Sequence, residues 1–209
     1  MSFDSWFIYL GLVFIATATP GPAVVFIISN SLLYGWQKAI FAAIGNISGL
    51  LILGIVAISG LGVVIQTSQY LFSIIKYAGA LYLVYLGIKL IVQKKFNLKI
   101  DKDKRAKPIS KTKIFLQAFG VAISNPKAIV FLTALFPQFI NLEKDLLIQF
   151  SELISILIFS SFTFLTLYAL LAHSIKDWLL KRDKIKTANR INGAVFITLG
   201  ALMASSSNQ

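Results

Sequence analysis

Thr19-Pro20-Gly21-Pro22 and Asn125-Pro126-Lys127 decide the fold of this chain, because each interrupts a long apolar run. Proline lacks a backbone N–H and breaks a helix, and hydrocarbon offers no partner for the carbonyl groups that this frees. Such breaks are tolerated in a membrane only where protein, ligand or a water-lined cavity satisfies them. Broken helices at corresponding places in two halves of a chain are typical of secondary transporters.

The composition is that of an integral membrane protein. Hydrophobic residues make up 57% of the 209 residues, and the mean hydropathy is +0.79. Apolar runs as long as the roughly 20 residues that cross a bilayer recur along the chain. The sixth run is the shortest, and its helix can start inside the preceding basic segment. We predict an all-α fold with six transmembrane helices at 3–33, 38–65, 69–92, 114–140, 146–172 and 189–204.

The net charge of +12 is concentrated in two connections between the predicted spans. The connections at 66–69 and 141–145 carry only one lysine between them. Because cytoplasmic loops are enriched in Lys and Arg, this alternation predicts that both termini lie outside. Contact with anionic lipids is a secondary expectation. The basic residues are Lys94, Lys95, Lys99, Lys102, Lys104, Arg105, Lys107, Lys111 and Lys113 in one connection, and Lys176, Lys181, Arg182, Lys184, Lys186 and Arg190 in the other.

The chain is predicted to be one membrane domain, 1–209, made of two three-helix repeats, 1–93 and 114–209. A basic cytoplasmic loop, 94–113, joins them. The proline breaks fall in the first helix of each repeat, and a Gly-Ala-x-aromatic pattern recurs in the third helices, at 79–82 and 193–196. Because three spans are an odd number, the second repeat is inverted in the membrane. The alternative is that composition alone makes small residues recur.

The residue types argue against several functions. Cysteine is absent, which removes disulfides and thiol redox chemistry, and the single His173 has no carboxylate cluster with which to bind a metal. No catalytic triad, phosphate-binding glycine loop or carboxylate pair can be assembled, so we predict no enzyme and no cofactor. The basic loop contains one aromatic residue, Phe96, and lacks the stacking groups of a nucleic-acid binder.

The two breaks have the chemistry of an anion site. Thr19 and Asn125 can each cap a half-helix whose first residue is Pro20 or Pro126. Counted at 1.5 Å per residue, both breaks lie about 17 to 20 Å from the inner ends of their spans, near mid-bilayer. Helix N-termini favour anions. We predict a carboxylate site formed by Thr19, Pro20, Gly21, Pro22, Asn125, Pro126 and Lys127.

In that site Gly21 permits close backbone approach and Lys127 adds a cation, while the carbonyls of Ala18 and Ser124 can accept from an ammonium group. The alternative is that the prolines only kink the helices, and that threonine and asparagine restore the backbone pairing.

Four other residues are candidates for a role, and Glu152 and the pair Gly45 and Gly49 each have two interpretations. Glu152 is the candidate for proton coupling, because an intramembrane carboxylate is functional by default, although it lies near enough to the surface to snorkel. Lys76 has a similar depth and could pair with it. Gly45 and Gly49 form a G-x-x-x-G pair, for which close helix packing is the expectation and substrate contact the alternative.

Five further stretches accompany the breaks: Gly45 to Gly49 (GNISG), Lys76 to Gly87 (KYAGALYLVYLG), Phe119-Gly120, Phe131 to Phe139 (FLTALFPQF), and Arg190 to Gly200. In order and spacing the set resembles the LysE/RhtB amino-acid exporters over nearly the whole chain. The resemblance implies a six-span exporter of amino acids or close derivatives in the inner membrane, driven by proton antiport.

The departures from that family bear on the substrate. Some members carry an acidic residue where this chain has Ala23, and a Gly-Asp pair where it has Gly49-Leu50. Without those carboxylates a basic side chain has no counter-charge, so a neutral substrate is expected, as in the homoserine, threonine or leucine exporters. The alternatives are an inorganic cation or metal-ion transporter, and a membrane scaffold or receptor. The sequence determines neither the amino acid nor the oligomeric state, and it allows a homodimer.

Overall fold

The computed structural model describes residues 3–67, 69–92, 108–141, 144–172, 174 and 182–205, in which there are helices and no strand. The all-α prediction is confirmed for these residues. After α6 the chain continues as a π-helical turn and a 3₁₀ turn, which end at Phe139. The helices are α1 (Phe3–Ala18), α2 (Pro22–Tyr34), α3 (Trp36–Thr67), α4 (Gln69–Val92), α5 (Lys111–Ile123), α6 (Pro126–Val130), α7 (Leu146–Leu170) and α8 (Arg182–Ser205).

Two helices are long and apolar enough to cross a membrane, α3 over Trp36–Gly60 and α7 over its whole length. The pairs α1–α2 and α5–α6 also qualify if each is one bent span, with bends of 47° and 54°. The described residues therefore contain two to four candidate spans. The third predicted span coincides with α4, and the sixth lies within α8. Membrane crossing by these two helices stays a prediction.

Both predicted breaks are present, and two helices begin before the spans predicted for them, the second of them inside the basic segment as the sequence allowed. α5 begins at Lys111, so the last three residues of the predicted loop 94–113 belong to a helix. The Ser110 hydroxyl sets this start, because it accepts a hydrogen bond from the backbone N–H of Lys113. α8 begins at Arg182, seven residues before the predicted span at 189, inside the basic segment. Residues 93–107 and His173 lie outside the described residues.

α7 holds both halves of the first broken helix. The buried Tyr9 hydroxyl of α1 donates to the carbonyl of Leu153 (2.8 Å), and the buried Ser31 hydroxyl of α2 donates to that of Ala169 (2.6 Å). An apolar cluster surrounds each contact, one around Tyr9 and the other around the α2 side chains. The break lies between them along the chain, since Ala16 belongs to the first cluster and Val24 to the second.

Glycines allow the closest helix contacts. A Cβ at Gly45 would overlap the backbone carbonyl of Phe115, and one at Gly49 would lie 2.7 Å from the Cβ of Ala122. The predicted packing role of this pair is thereby confirmed, with α5 as the partner. α4 and α8 pack through Gly87 and Gly193, where a Cβ on either glycine would lie 2.5 Å from the other's carbonyl oxygen.

Candidate functional site

The carbonyls freed at the first break are satisfied by side chains from the second half of the chain. Pro20 and Pro22 have no N–H, so the carbonyls of Ala16 and Ala18 lose their helical donors four residues on. The Lys127 ammonium donates to the carbonyl oxygens of Ala16 (2.8 Å) and Thr19 (3.1 Å). The Tyr168 hydroxyl donates to the carbonyl oxygen of Ala18 (2.7 Å).

The start of α2 differs from the prediction. Thr19 was expected to cap a helix beginning at Pro20, but its hydroxyl donates back to the carbonyl of Ile15 and so extends the end of α1. Gly21 is the N-cap residue and Pro22 the first helical residue. Because Gly21 has no side chain to cap the helix, the first-turn N–H groups of Ala23 and Val24 lack a partner among the described residues.

The second break is as predicted, and its backbone groups are paired by a neighbouring residue, Asn125. Asn125 is the N-cap of α6, and its side-chain oxygen accepts from the backbone N–H of Lys127 (3.1 Å), with Pro126 at the first helical position. The carbonyl of Ala122, which Pro126 cannot pair, accepts from the backbone N–H of Asn125 (3.1 Å). The side chain of Lys127 is therefore available to the other break.

A cavity lies between the two breaks and the middle of α3 and α7. Its volume is about 60 Å³, which is well above the roughly 10 to 15 Å³ that a single water needs. Much of the cavity wall is aliphatic or aromatic, and no Asp or Glu is among the described lining residues. Its polar side chains are those of Thr17, Asn46, Asn125, Lys127 and Ser161.

Of the predicted site residues, Gly21, Asn125 and Lys127 line this cavity. A Cβ at Gly21 would lie 3.4 Å from the Lys127 ammonium nitrogen, so the glycine keeps that group open. Thr19 contributes its carbonyl, and the prolines create the breaks. The Ala18 carbonyl, expected to accept from a ligand, accepts from Tyr168 instead; the matching expectation for Ser124 stays a prediction.

Three residues of the site were not predicted from the sequence. Asn46 and Ser161 are buried, with 4% and 6% of their surface exposed, and they line the cavity. Tyr168 donates to the carbonyl of Ala18 at the first break. An amide within a long apolar run is the signal that could have indicated Asn46. The i, i+4, i+7 spacing of Ser161, Leu165 and Tyr168 places all three on one helix face and could have indicated the other two residues.

Glu152 does not line the cavity. It is half-buried on α7, nine residues before Ser161, and nine residues at 100° each place it on about the opposite face of the helix. A role in proton coupling stays a prediction, and it would need a route other than the cavity wall. The Lys76 side chain lies outside the described part of the chain, so its pairing with Glu152 also stays a prediction.

Known proteins resemble the chain over almost its full length. A model of the LysE type translocator family matches residues 14–207. A homoserine/homoserine lactone efflux protein of Salmonella typhimurium is 35% identical over 205 residues, 98% of each chain. A leucine efflux protein of Klebsiella pneumoniae is 30% identical over 198 residues, 94% of this chain and 92% of its own. No solved structure matches the chain.

Proposed function

Because the chain belongs to the LysE type translocator family, we propose that it exports small, neutral amino acids or close derivatives. The family and the efflux relatives make it a membrane transporter and not an enzyme, and their substrates are amino acids. The observation that carries the proposal is the cavity at which Lys127, from the second break, hydrogen-bonds the carbonyls of the first.

A zwitterion fits the chemistry of this cavity. Lys127 uses two of its three N–H donors on Ala16 and Thr19, which leaves the third for a carboxylate. The unpaired N–H groups of Ala23 and Val24, at the positive end of the α2 dipole, favour the same group. With no described acidic side chain in the wall, a cationic substrate side chain would be desolvated without compensation.

The proposal includes the architecture. Six spans as two inverted repeats, with both termini outside and the basic loops in the cytoplasm of a bacterial inner membrane, agree with the charge distribution. The antiparallel packing of α4 on α8 supports the inversion, since Gly87 meets Gly193 while Ala80 meets Gly200 further along. Proton antiport, contact with membrane lipids and a homodimer remain parts of the proposal.

The decisive experiment is efflux from proteoliposomes containing the purified protein and loaded with threonine, homoserine, leucine or lysine. We expect each neutral amino acid to leave at least roughly tenfold faster than lysine, which needs about 1.4 kcal/mol of discrimination. Lysine efflux equal to that of threonine would refute the neutral substrate. Efflux of all four at the rate of protein-free liposomes would refute amino-acid export.

A cation or metal-ion transporter was the alternative from sequence. Within the described ranges no three residues of His, Cys, Asp or Glu are grouped to hold a metal ion, and a lysine ammonium stands in the cavity wall. The family assignment favours the amino-acid exporter.

A further inference from the structure

Two polar side chains in the cavity have no task in closing the breaks. Asn46 and Ser161 are at least nine-tenths buried, yet neither side chain hydrogen-bonds another described residue. Among the described residues the buried side-chain atom without a partner is the Thr166 hydroxyl, so the polar atoms of Asn46 and Ser161 are instead open to the cavity that these residues line. A ligand that enters the cavity would satisfy both.

These two residues belong to other helices than the groups suited to a carboxylate. The groups suited to a carboxylate belong to the broken helices α2 and α6, whereas Asn46 and Ser161 belong to the unbroken helices α3 and α7, which pack on each other. Apolar side chains one turn away on the same helices, Leu50 and Leu157, also line the cavity. The part of the wall that α3 and α7 supply is therefore apolar apart from the uncharged side chains of Asn46 and Ser161.

We propose that Asn46 and Ser161 are specificity-determining residues that bind a neutral oxygen, hydroxyl or carbonyl, on the side chain of the exported amino acid. An amide and a hydroxyl each donate and accept, and neither is charged, which suits an oxygen of the same kind. This inference rests on the proposed function and names the feature of the substrate that the cavity selects.

A site of this kind should discriminate against a substrate whose side chain is a hydrocarbon of equal size. A hydroxyl placed between Asn46 and Ser161 satisfies both, while a methyl in its place leaves two buried polar groups unpaired. Sites built to bind a hydroxyl reject the analogue without it far more strongly than an apolar pocket separates similar hydrocarbons. Homoserine and norvaline form such a pair, as do threonine and valine.

The test is the ratio of efflux kcat/KM for homoserine over norvaline, with threonine over valine as a second pair, in proteoliposomes. We expect the unaltered protein to prefer each hydroxylated member at least roughly tenfold. Ser161→Ala and Asn46→Leu should bring both ratios to within about twofold while norvaline is still exported. Ser161→Thr should restore the preference, and Ser151→Ala, at an exposed serine of α7, should leave it unchanged.

Each other outcome has a defined meaning. Equal export of both members by the unaltered protein overturns this inference while the exporter proposal stands. Export of no member of either pair also overturns it, and the exporter proposal is refuted as well if leucine and lysine are not exported. If Ser161→Ala slows both members alike and keeps the ratio, the two residues hold a structural water, and the inference is wrong. If Asn46→Leu is not recovered in the membrane, the Ser161 variants decide.

Discussion

At the scale of single residues, Lys127 joins two breaks that lie more than one hundred positions apart in the chain. Its backbone N–H belongs to the cap of α6, and its ammonium pairs with the carbonyl that Pro20 frees in α1. One residue thus takes part in closing both interruptions, and it does so with a charged donor, which forms the stronger kind of hydrogen bond.

Lys127→Met is expected to abolish efflux. It leaves the carbonyls of Ala16 and Thr19 without their donor, and an unpaired buried acceptor costs about 1 to 3 kcal/mol. A lower melting temperature of the detergent-solubilised protein and the loss of efflux from proteoliposomes are the two readouts. Lys113→Met is the matched control, because that lysine is exposed on α5. Normal efflux by a well-inserted Lys127→Met variant would make Lys127 dispensable.

Tyr168→Phe is expected to loosen the contact between α7 and the first break. The change removes one hydroxyl and leaves the Ala18 carbonyl unpaired, for a loss of about 1 to 3 kcal/mol. Thermal unfolding in detergent measures it. Tyr70→Phe removes the same atom from a tyrosine that is 78% exposed and should have little effect. Equal melting temperatures for the two variants would contradict the role of Tyr168.

The residues at the breaks could be predicted from the sequence more reliably than the distant side chains that hydrogen-bond them. Asn125 and Pro126 were identified correctly, because an N-cap residue followed by proline is a local pattern. At Thr19 the same pattern competes with a second proline two residues later, and the hydroxyl has a carbonyl of α1 within reach. Tyr168 is far away in sequence, so only the packing of α7 against the break reveals it.

At the scale of elements, α3 packs against α5 through its glycine face. Gly45 and Gly49 lie one turn apart and meet the backbone of Phe115 and the side chain of Ala122. Small residues let helix backbones approach within a membrane, where van der Waals contact stabilises helix pairs.

Gly45→Ala should therefore be destabilising although it adds one methyl group. The new Cβ would overlap a backbone carbonyl that cannot move without shifting α5, and overpacking of this kind costs about 1 to 3 kcal/mol. Gly60→Ala, on the same helix with no described atom within 4 Å of the added Cβ, is the control. We expect a lower melting temperature for the first variant only. An unchanged Gly45→Ala protein would show that this contact tolerates a methyl group.

The order of the helices could be read from the sequence, because apolar length and proline position are local properties. α8 begins seven residues before the span predicted at 189, inside the basic segment as the sequence allowed, because basic side chains do not by themselves end a helix. The π-helical and 3₁₀ turns after α6 were not predicted, because no local pattern for them was recognised in the apolar sequence.

At the scale of the whole molecule, the described acids lie away from the cavity. If Glu152 carries the coupling proton, Glu152→Gln should abolish the acceleration of efflux that an acidic exterior produces, while exchange of internal for external substrate continues. Asp145→Asn is the matched control, because asparagine can still cap α7 as Asp145 does. Unchanged acceleration in Glu152→Gln liposomes would assign the coupling to another group.

The charge asymmetry of the chain predicts its orientation in the membrane, and this gives the last prediction. The basic loop should stay in the cytoplasm, because Lys and Arg near the ends of a span resist translocation, whereas residues 66–69 carry no charge that would hold them inside. The chain has no cysteine, so a single introduced thiol is unique. We expect Gln66→Cys to react with a membrane-impermeant maleimide in intact cells, and Lys102→Cys to react only after permeabilisation. The opposite pattern would invert the topology and, with it, the direction from which the cavity receives its substrate.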